Sequence, residues 1–324
     1  MLSRRKVLLG GVMAGVSGII RRAGIAEAAA SQPQTRINFE VPPGATDCAV
    51  HVYGDLKRHP YWEGRTYTPE PATVAELQRF LKALRVDRVV VVQASTYGTD
   101  NSCVVDSIRE LGSGARGVAT IDDKTTEAAL DAMHRGGVRG IRLSLGNQGA
   151  TDPAGVRQRL KRAAERMKNR GGWSMLISGS PATFELVRDE LAAVTTPIVI
   201  DHFGEPRVAD GVRQPGFVTV LDLVKSGRAY VKLSNADVLS SKADLSDVTP
   251  YAQALIAANP QRVVWGTAWP HPSAGAVPGR KATDLALHRQ VDDGRVMNML
   301  PVWAPDAGVR KMILVDNAAR LYGF

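Results

Sequence analysis

Histidine and aspartate side chains in this sequence follow short apolar runs at positions where they could act together. His51 ends one such run, Asp201 and His202 end another, and His271 follows a third. An imidazole can donate a hydrogen bond to a developing oxyanion or accept a proton, and a neighbouring carboxylate can orient it. We therefore predict that His51, His202, Asp201 and His271 belong to one catalytic site.

Other polar side chains end neighbouring apolar runs and could bind a substrate. Gln93, Ser95 and Tyr97 end one run, Arg142 lies in another, and Ser234 ends a later one. The planar guanidinium of Arg142 suits a carboxylate. Each side chain alone has a structural explanation, but six run ends converge on polar residues in segments otherwise rich in Val, Ile and Leu. That convergence predicts one shared site.

The elements that must position these residues are apolar runs alternating with amphipathic segments, which is typical of βα units around a parallel sheet. For example, the segment 71–84 has the pattern of an amphipathic helix, and the segment 153–170 is helical with a strongly basic outer face. We predict eight strands, each followed by a helix, at 45–52, 88–95, 115–121, 138–145, 173–179, 197–204, 229–235 and 262–269.

Eight strands with eight helices predict an α/β fold of the (β/α)8 TIM barrel type, as a single domain. A doubly wound open sheet is less consistent, because no Gly-x-Gly-x-x-Gly motif follows the first strand. The active site of such a barrel lies where the strands end at its C-terminal face. Residues 272–305, rich in Pro, Gly and polar side chains, are predicted to form a long final loop that covers the barrel mouth.

The composition limits the classes of partner. The 324 residues carry a formal net charge of +9, of which residues 1–30 supply about +4. The remaining excess suits an anionic small molecule, whereas the lack of a dense Lys/Arg tract with interleaved aromatics argues against nucleic acid. Cys48 and Cys103 are too few for a disulfide framework and are expected to be buried.

The first thirty residues have the pattern of an export leader. The segment Ser3-Arg-Arg-Lys-Val-Leu-Leu9 resembles the twin-arginine motif and precedes an apolar, Gly-rich run and the small residues 26–30. We predict a twin-arginine signal peptide over 1–30, an N-terminal extension over 31–44 and the barrel over 45–324. The expected partner is the twin-arginine export machinery and the expected location is the periplasm, without stable membrane association after cleavage. The alternative is an uncleaved membrane anchor.

Seven segments spread along the chain carry a resemblance to a known family. They resemble the amidohydrolase-related TIM barrels and, within them, the branch of 2-pyrone-4,6-dicarboxylate lactonase. The segments are Asp47-Cys-Ala-Val-His51, Val92-Gln-Ala-Ser-Thr-Tyr-Gly-Thr-Asp-Asn101, Gly137-Val-Arg-Gly-Ile-Arg142, Val199-Ile-Asp-His-Phe-Gly204, Val231-Lys-Leu-Ser234, Val264-Trp-Gly-Thr-Ala-Trp-Pro-His271 and Asn317-Ala-Ala-Arg-Leu-Tyr-Gly323.

The resemblance implies a hydrolase that opens lactones bearing carboxylates, without a bound metal and without a cofactor. It implies that His51 and His202 polarise the lactone carbonyl. It also implies that Ser95, Tyr97 and Arg142 hold the carboxylate groups of the substrate. Hydrogen-bond donors at the position of the oxyanion lower the barrier by about 3 to 4 kcal/mol each.

Two positions depart from the pattern of the family. The pattern after the first strand is Asp-x-His-x-His, and Ala49 occupies the first His position; the pattern after the last strand is Trp-Gly-Thr-Asp-Trp-Pro-His, and Ala268 occupies the Asp. Alanine can neither ligate a metal nor accept a proton. We therefore predict no catalytic metal and an impairment of the family's usual route of water activation.

Three functions remain open from the sequence. The first is a divergent hydrolase of an anionic lactone, in which His202, Asp201, His271 or an acid from the late loop replaces the missing base. The second is a lactone isomerase similar to the D-galactarolactone isomerases, in which a hydroxyl of the substrate attacks the carbonyl and no water is activated. The third is a lactone-binding protein disabled at Ala49 and Ala268, by natural drift or by design.

Overall fold

The computed structural model describes residues 30–146, 152–275 and 278–324. The predicted signal peptide therefore lies outside the described residues except for Ala30. Among the described residues, no helix is both long and apolar enough to cross a lipid bilayer.

Within the described residues, eight parallel strands form one sheet in sequence order, and the predicted strand series is confirmed. Their interiors are rich in Val, Ile and Leu and are buried on both faces, as is usual for a parallel sheet covered by helices. The strands are β1 (Thr46–Val50), β2 (Arg88–Val92), β3 (Ala115–Ala119), β4 (Val138–Gly146), β5 (Ser174–Gly179), β6 (Ile198–Ile200), β7 (Ala229–Leu233) and β8 (Val263–Trp265).

The sheet closes between its first and last strands just beyond the end of β8. Val50 and Trp269 form a parallel bridge. The amide of His51 donates to the carbonyl of Trp269 at 2.8 Å, and the amide of Ala268 donates to the carbonyl of Ala49 at 2.7 Å. This closure confirms the TIM barrel and places the two departures from the family pattern side by side at the mouth.

Helices follow the strands and cover the outside of the barrel. The helices are α1 (Val74–Leu84), α2 (Ser102–Leu111), α3 (Glu127–Arg135), α4 (Pro153–Met167), α5 (Pro181–Leu186), α6 (Arg188–Ala193), α7 (Pro215–Lys225), α8 (Ala236–Leu239), α9 (Thr249–Ala258), α10 (Asp293–Met297), α11 (Leu300–Trp303), α12 (Ala307–Lys311) and α13 (Asn317–Tyr322).

The two helices singled out from the sequence are shorter than predicted, and capping residues explain two of their ends. Helix α1 begins at Val74 rather than at residue 71, because Thr73 and Glu76 form a capping box. Helix α4 begins at Pro153 behind the cap residue Asp152 but ends at Met167 rather than at residue 170.

Residues 272–305 are not a structureless loop, which corrects the sequence prediction. They contain the two-residue strand Leu285–Ala286, which pairs with Thr68–Pro69, and helices α10 and α11. Pro272 to Gly275 and Arg289 still line the barrel mouth, as expected. The extra order comes from contacts remote in sequence, which composition does not reveal.

The other end of the barrel is filled by the C-terminal residues. Ala318, Leu321 and Tyr322 pack in one buried cluster with Cys48 and Val90 from the barrel strands. Cys48 and Cys103 are free and buried, as expected. Hydrophobic packing therefore fills the centre of the N-terminal face, and the polar residues that follow the strands lie at the opposite face.

Candidate active site

A cavity of about 560 Å³ lies at the C-terminal ends of the strands. The sequence-predicted residues His51, Ser95, Arg142, His202, Ala268 and His271 line it, together with Tyr67, Asn235, Val238, Arg289 and residues 272–275. The cavity brings together side chains separated by more than two hundred positions in the chain.

The hydrogen bond of His51 decides which of its nitrogens is free for chemistry. Its Nδ1 lies 2.8 Å from the carbonyl oxygen of Val92. A carbonyl oxygen can only accept, so Nδ1 carries the proton and Nε2 of the neutral ring is an acceptor. Burial and the charge of Arg142 lower the pKa of His51 to about 3. In this state the free nitrogen of the ring is a hydrogen-bond acceptor and not a donor that could polarise a carbonyl.

The conformation of His202 is set by a strained turn after β6. Its φ is 48°, and Phe203 and Glu205 also have positive φ values of 59° and 50°. Non-glycine residues rarely adopt this region, and such backbone occurs at functional sites. The turn aims the imidazole at the cavity and away from the strand.

Two neighbours fix the ring of His202. Its Nδ1 lies 2.8 Å from the hydroxyl oxygen of Ser234, and its Nε2 lies 3.5 Å from Oδ2 of Asp201. The carboxylate favours the tautomer with a proton on Nε2, because a lone pair there would face a negative charge. Burial lowers the pKa of His202 below its usual range, with Asp201 opposing. His202 is therefore a neutral donor, the opposite of His51.

Asp201 is held by a buried lysine. Lys232 is fully buried, and its Nζ lies 3.3 Å from Oδ1 of Asp201. Burial alone would raise the pKa of Asp201, but His202, Lys232 and Arg142 outweigh it and hold the pKa below its usual range. Asp201 is thus a permanent carboxylate that orients His202, and Ser234, predicted to bind substrate, holds the other side of the same ring.

The residues after β2 form one wall of the cavity. Arg142 donates from Nη1 to the carbonyl of Gln93 at 3.2 Å, while its Nε is buried without a partner in the described part of the chain. Nε2 of Gln93 donates to the carbonyls of Gly98 and Asp100 at 3.3 and 2.7 Å, so that side chain supports the loop behind the wall. Ser95 is exposed on the cavity.

Tyr97 lies deeper than its predicted role requires. Its hydroxyl accepts from the amide of Gly54 at 3.0 Å, and only 2% of the residue is exposed. Its ring stacks with Tyr53 and contacts Tyr61. The contact of Tyr97 with a substrate carboxylate stays a prediction.

His271 belongs to a second buried pair, whose partner comes from the late segment. Its Nε2 lies 2.7 Å from Oδ2 of Asp293, the residue that begins α10. The remaining Nδ1 is buried without a hydrogen-bond partner among the described residues. Burial raises the pKa of Asp293, with His271 opposing. Asp293 is an acid of the late segment, as one reading of the sequence anticipated without identifying the residue.

Arg289 also comes from the late segment, and the sequence analysis missed it. It lies on the cavity wall and pairs with Asp237. Its Nη2 donates to the side-chain oxygen of Asn235 at 3.4 Å. Because Arg289 follows no predicted strand, the strand-end rule could not find it. A pairing between residues 68–69 and 285–286 places it there.

The two alanines lie where the ends of the sheet meet. Ala268 has a φ of 71° and lines the cavity, while Ala49 is buried. Asp47 holds this junction: its carboxylate accepts from the amides of Ala49 and Thr267, each at 3.0 Å, and from the Thr267 hydroxyl at 2.6 Å. Burial raises the pKa of Asp47 to about 6, with the Thr267 hydroxyl opposing.

The residues of the cavity do not fit a resident metal ion. Within residues 30–146, 152–275 and 278–324, no three His, Cys, Asp or Glu side chains come together as a ligand set. Ala49 and Ala268 offer no ligand atoms, and Lys232 already neutralises Asp201.

Comparisons with known proteins agree with this architecture. The amidohydrolase family model matches residues 46–324. A 4-sulfomuconolactone hydrolase of Rhizobium radiobacter is 33% identical over 291 residues, covering 89% of this chain and 92% of that protein. A 2-pyrone-4,6-dicarboxylate hydrolase of Comamonas testosteroni is 33% identical over 302 residues, covering 90% and 93% respectively.

A more distant relative and a solved structure extend the comparison. A D-galactarolactone isomerase of Agrobacterium fabrum is 27% identical over 295 residues, covering 89% of this chain and 94% of that protein. The crystal structure of a putative 2-pyrone-4,6-dicarboxylic acid hydrolase of Pseudomonas putida superposes with a TM-score of 0.70 at 28% identity, covering 87% of this chain and 98% of that one.

Proposed function

This chain belongs to the amidohydrolase family, as the resemblance predicted, and from that premise we propose that it hydrolyses a lactone bearing acidic groups. One observation carries the proposal. His51 is an acceptor and His202 a donor in a cavity that Arg142 and Arg289 also line. Hydrolysis of a lactone needs one group of each kind, and the guanidinium groups suit an anionic substrate.

In the proposed reaction, Nε2–H of His202, which lies 3.5 Å from Asp201 and makes no hydrogen bond to it, donates to the lactone carbonyl oxygen, where negative charge develops as the nucleophile adds. Asp201 and Ser234 keep that donor in place. Nε2 of His51 accepts a proton from the attacking water. The bond between the carbonyl carbon and the ring oxygen then breaks, and the proton passes to that oxygen, leaving a free carboxylate and a hydroxyl or enol.

The low pKa of His51 is compatible with this role once the substrate is bound. After burial, the charge of Arg142 is the largest cause of the low value of about 3. A carboxylate or sulfonate on Arg142 would neutralise that charge, so the pKa of His51 rises in the complex. Basicity would then increase when the anionic substrate arrives, which couples recognition to water activation.

A second candidate function is isomerisation of a lactone. Ala268 favours it, because an alanine at the cavity wall cannot accept a proton from water. A hydroxyl of the substrate would then attack the carbonyl, and the ring size would change without water. A third candidate function is binding of lactones without turnover. It rests on Ala268 together with Ala49.

Labelled water separates these functions. We would incubate the protein with a panel of carboxylated and sulfonated lactones in ¹⁸O-water with chelator, follow the reaction by NMR and analyse the products by mass spectrometry. Hydrolysis incorporates one ¹⁸O per turnover and releases acid. Ring exchange without label would replace the hydrolase by the isomerase, and unchanged ligand would leave binding alone.

Variants of His51 then test the proposed base. In His51→Asn, the side-chain amide keeps a donor for the carbonyl of Val92 but loses the basic ring nitrogen that takes the proton, so kcat should fall by about 10² to 10⁴. His134→Ala is the matched control, because His134 accepts from the indole of Trp173 far from the cavity. Equal activity of His51→Asn and the control would remove His51 from the mechanism.

If no lactone turns over, Ala49→His combined with Ala268→Asp becomes the decisive variant. Activity appearing in it would identify the chain as a disabled lactone hydrolase. If this variant has no activity and lactones do not raise its thermal stability, the assignment of the cavity as a lactone site is contradicted.

We also propose that the protein acts in the periplasm after twin-arginine export, on the basis of the motif at Arg4 and Arg5. Replacing both with Lys should retain the protein in the cytoplasm. N-terminal sequencing of the periplasmic form should begin near residue 31. A wild-type protein recovered entirely from the cytoplasm at full length would overturn this proposal.

A further inference from the structure

A second polar cavity, of about 500 Å³, lies at the opposite face of the barrel. Its walls come from the segments that enter β5 to β8 and from α13. These include Trp173, Thr196, Arg228, Arg262 and Arg320. The N-terminal face of a TIM barrel does not take part in its usual chemistry, so this cavity is separate from the lactone site.

The charges of this cavity are not balanced. Arg228, Arg262 and Arg320 line it, and the lining contains no acidic residue. In the part of the chain that the structure describes, none of these arginines lies within 4.0 Å of a carboxylate oxygen. Like charges that share a concave surface repel one another and raise the local concentration of anions.

Arg262 is already oriented for binding. Its Nε donates to the carbonyl of Gly227 at 3.1 Å, and its Nη1 donates to the hydroxyl of Tyr230 at 2.8 Å. Its guanidinium carbon lies 4.7 Å from the centre of the Tyr230 ring. The remaining nitrogen, Nη2, keeps its hydrogens for another partner. A guanidinium held in this way loses little freedom when it binds an oxyanion.

Thr196 gives an observation that is independent of the charges. The residue is 6% exposed and belongs to the cavity wall, yet its hydroxyl has no hydrogen-bond partner among the described residues. A buried hydroxyl without a hydrogen-bond partner is unfavourable. An oxyanion in the cavity could accept its proton.

Another charged surface cavity in the same molecule provides a comparison. It lies between α3 and α4, and its lining contains three acids as well as three arginines, of which Arg166 pairs with Glu127, and Arg170 with Glu127 and Asp131. That cavity needs no external anion. The cavity at the barrel base has the same kind of cations without the acids.

We propose that the cavity at the barrel base binds a small polyanion with two or more closely spaced phosphate or carboxylate groups. Its guanidinium groups present paired N–H donors to such oxyanions. Bound there, the ligand would tie the entries of β5 to β8 to α13 and so stabilise the fold. The proposal does not depend on the function of the lactone site.

Calorimetry and thermal unfolding test this site with two probes, inorganic pyrophosphate and citrate, each against sodium chloride at matched ionic strength. All measurements use the Arg142→Met background, so that anions cannot bind through that residue in the lactone cavity. We expect saturable one-to-one binding with a rise in Tm that sodium chloride does not reproduce. The preferred probe identifies phosphate or carboxylate chemistry.

The double variant Arg228→Met with Arg262→Met should weaken binding at least tenfold. Arg166→Met is the matched control and should leave it unchanged. If the double variant does not fold, Arg228→Met alone serves, because Arg228 is exposed. A rise in Tm equal to that in sodium chloride, or equal binding by variant and wild type, would overturn the proposal.

Discussion

The barrel mouth contains two buried aspartate–histidine pairs that behave in opposite ways. Asp201 lies 3.5 Å from Nε2 of His202, and Asp293 lies 2.7 Å from Nε2 of His271. All four groups are buried or nearly so, yet the pKa of Asp201 is lowered and that of Asp293 is raised.

The difference comes from the groups around Asp201, where Lys232 and Arg142 add to the effect of the neighbouring histidine. Burial penalises both carboxylates, but His202, Lys232 and Arg142 overcome that penalty for Asp201, whereas His271 opposes it for Asp293 without outweighing it. A buried cation thus turns one pair into a fixed electrostatic support for a catalytic donor. The other pair remains able to exchange protons.

The largest expected effect comes from removing that cation. Lys232→Met removes the buried ammonium group that lies 3.3 Å from the ionised carboxylate of Asp201 and should cost about 3 to 5 kcal/mol of unfolding free energy. Urea unfolding at pH 7 measures it. Adding Asp201→Asn should recover most of the loss. A cost below about 1 kcal/mol for the single variant would mean that the ion pair does not hold Asp201.

The next effect concerns rate. His202→Ala removes the donor that Asp201 orients, so kcat on an anionic lactone should fall by about 10² to 10³ while the fold is retained. Circular dichroism checks the fold. The variant Ser234→Ala keeps the imidazole of His202 but loses the hydrogen bond that holds it. Its kcat should therefore fall less than that of His202→Ala. Unchanged kcat in His202→Ala would show that this pair does not assist the carbonyl.

For the other pair, His271→Ala should act mainly on stability. It leaves the buried carboxyl of Asp293 without its hydrogen-bond partner, at a cost of about 1 to 3 kcal/mol. Because Asp293 can take up a proton, the cost should stay below that of Lys232→Met. Thermal unfolding of both variants side by side measures the order, and a reversed order would contradict the comparison.

The smallest effect distinguishes the pairs by pH. The raised pKa of Asp293 means that the folded state holds this proton more tightly, so its contribution to stability is present at low pH and is lost as pH rises from about 4. The side chain introduced by Asp293→Asn cannot ionise. The unfolding free energy of this variant should lie within about 1 kcal/mol of the wild-type value and should increase relative to it as pH rises.

The depressed pKa of Asp201 has the opposite sign. Its contribution is present above about pH 4 and is lost as pH falls, so Asp201→Asn should flatten the acid side of the stability curve. Unfolding free energies of both variants between pH 3 and 8 would reveal the two slopes. If the two variants change the pH dependence of the unfolding free energy in the same direction, the two pairs do not differ in the way proposed here.

Much of the fold could be predicted because the spacing of apolar residues, which determines burial, is set by neighbouring positions in the sequence. The Val-rich run of β2 and the amphipathic pattern of α1 are visible in the sequence, and both elements occur within a few residues of the predicted bounds. The strand-end rule also found His51, Arg142 and His202, because a barrel places the ends of its strands around one mouth.

The rule failed where position depends on contacts remote in sequence. Arg289 and Asp293 lie in a stretch that composition describes as a loop, and pairing with residues 68–69 and packing of α10 bring that stretch to the mouth. Gln93 and Ser234 end strands as predicted, but their side chains bond to protein groups beside the cavity.

The sequence by itself determined the barrel, the family and the pair of alanines that replace a histidine and an aspartate. Periodicity and motifs are properties of neighbouring residues, and they survive in a linear string. The tertiary structure decided that His51 is an acceptor and His202 a donor, and that Lys232 and Arg142 lie near Asp201 and help to lower its pKa. Tautomers and charges depend on distances of about 3 Å between atoms on different strands, and only the closed barrel fixes those distances.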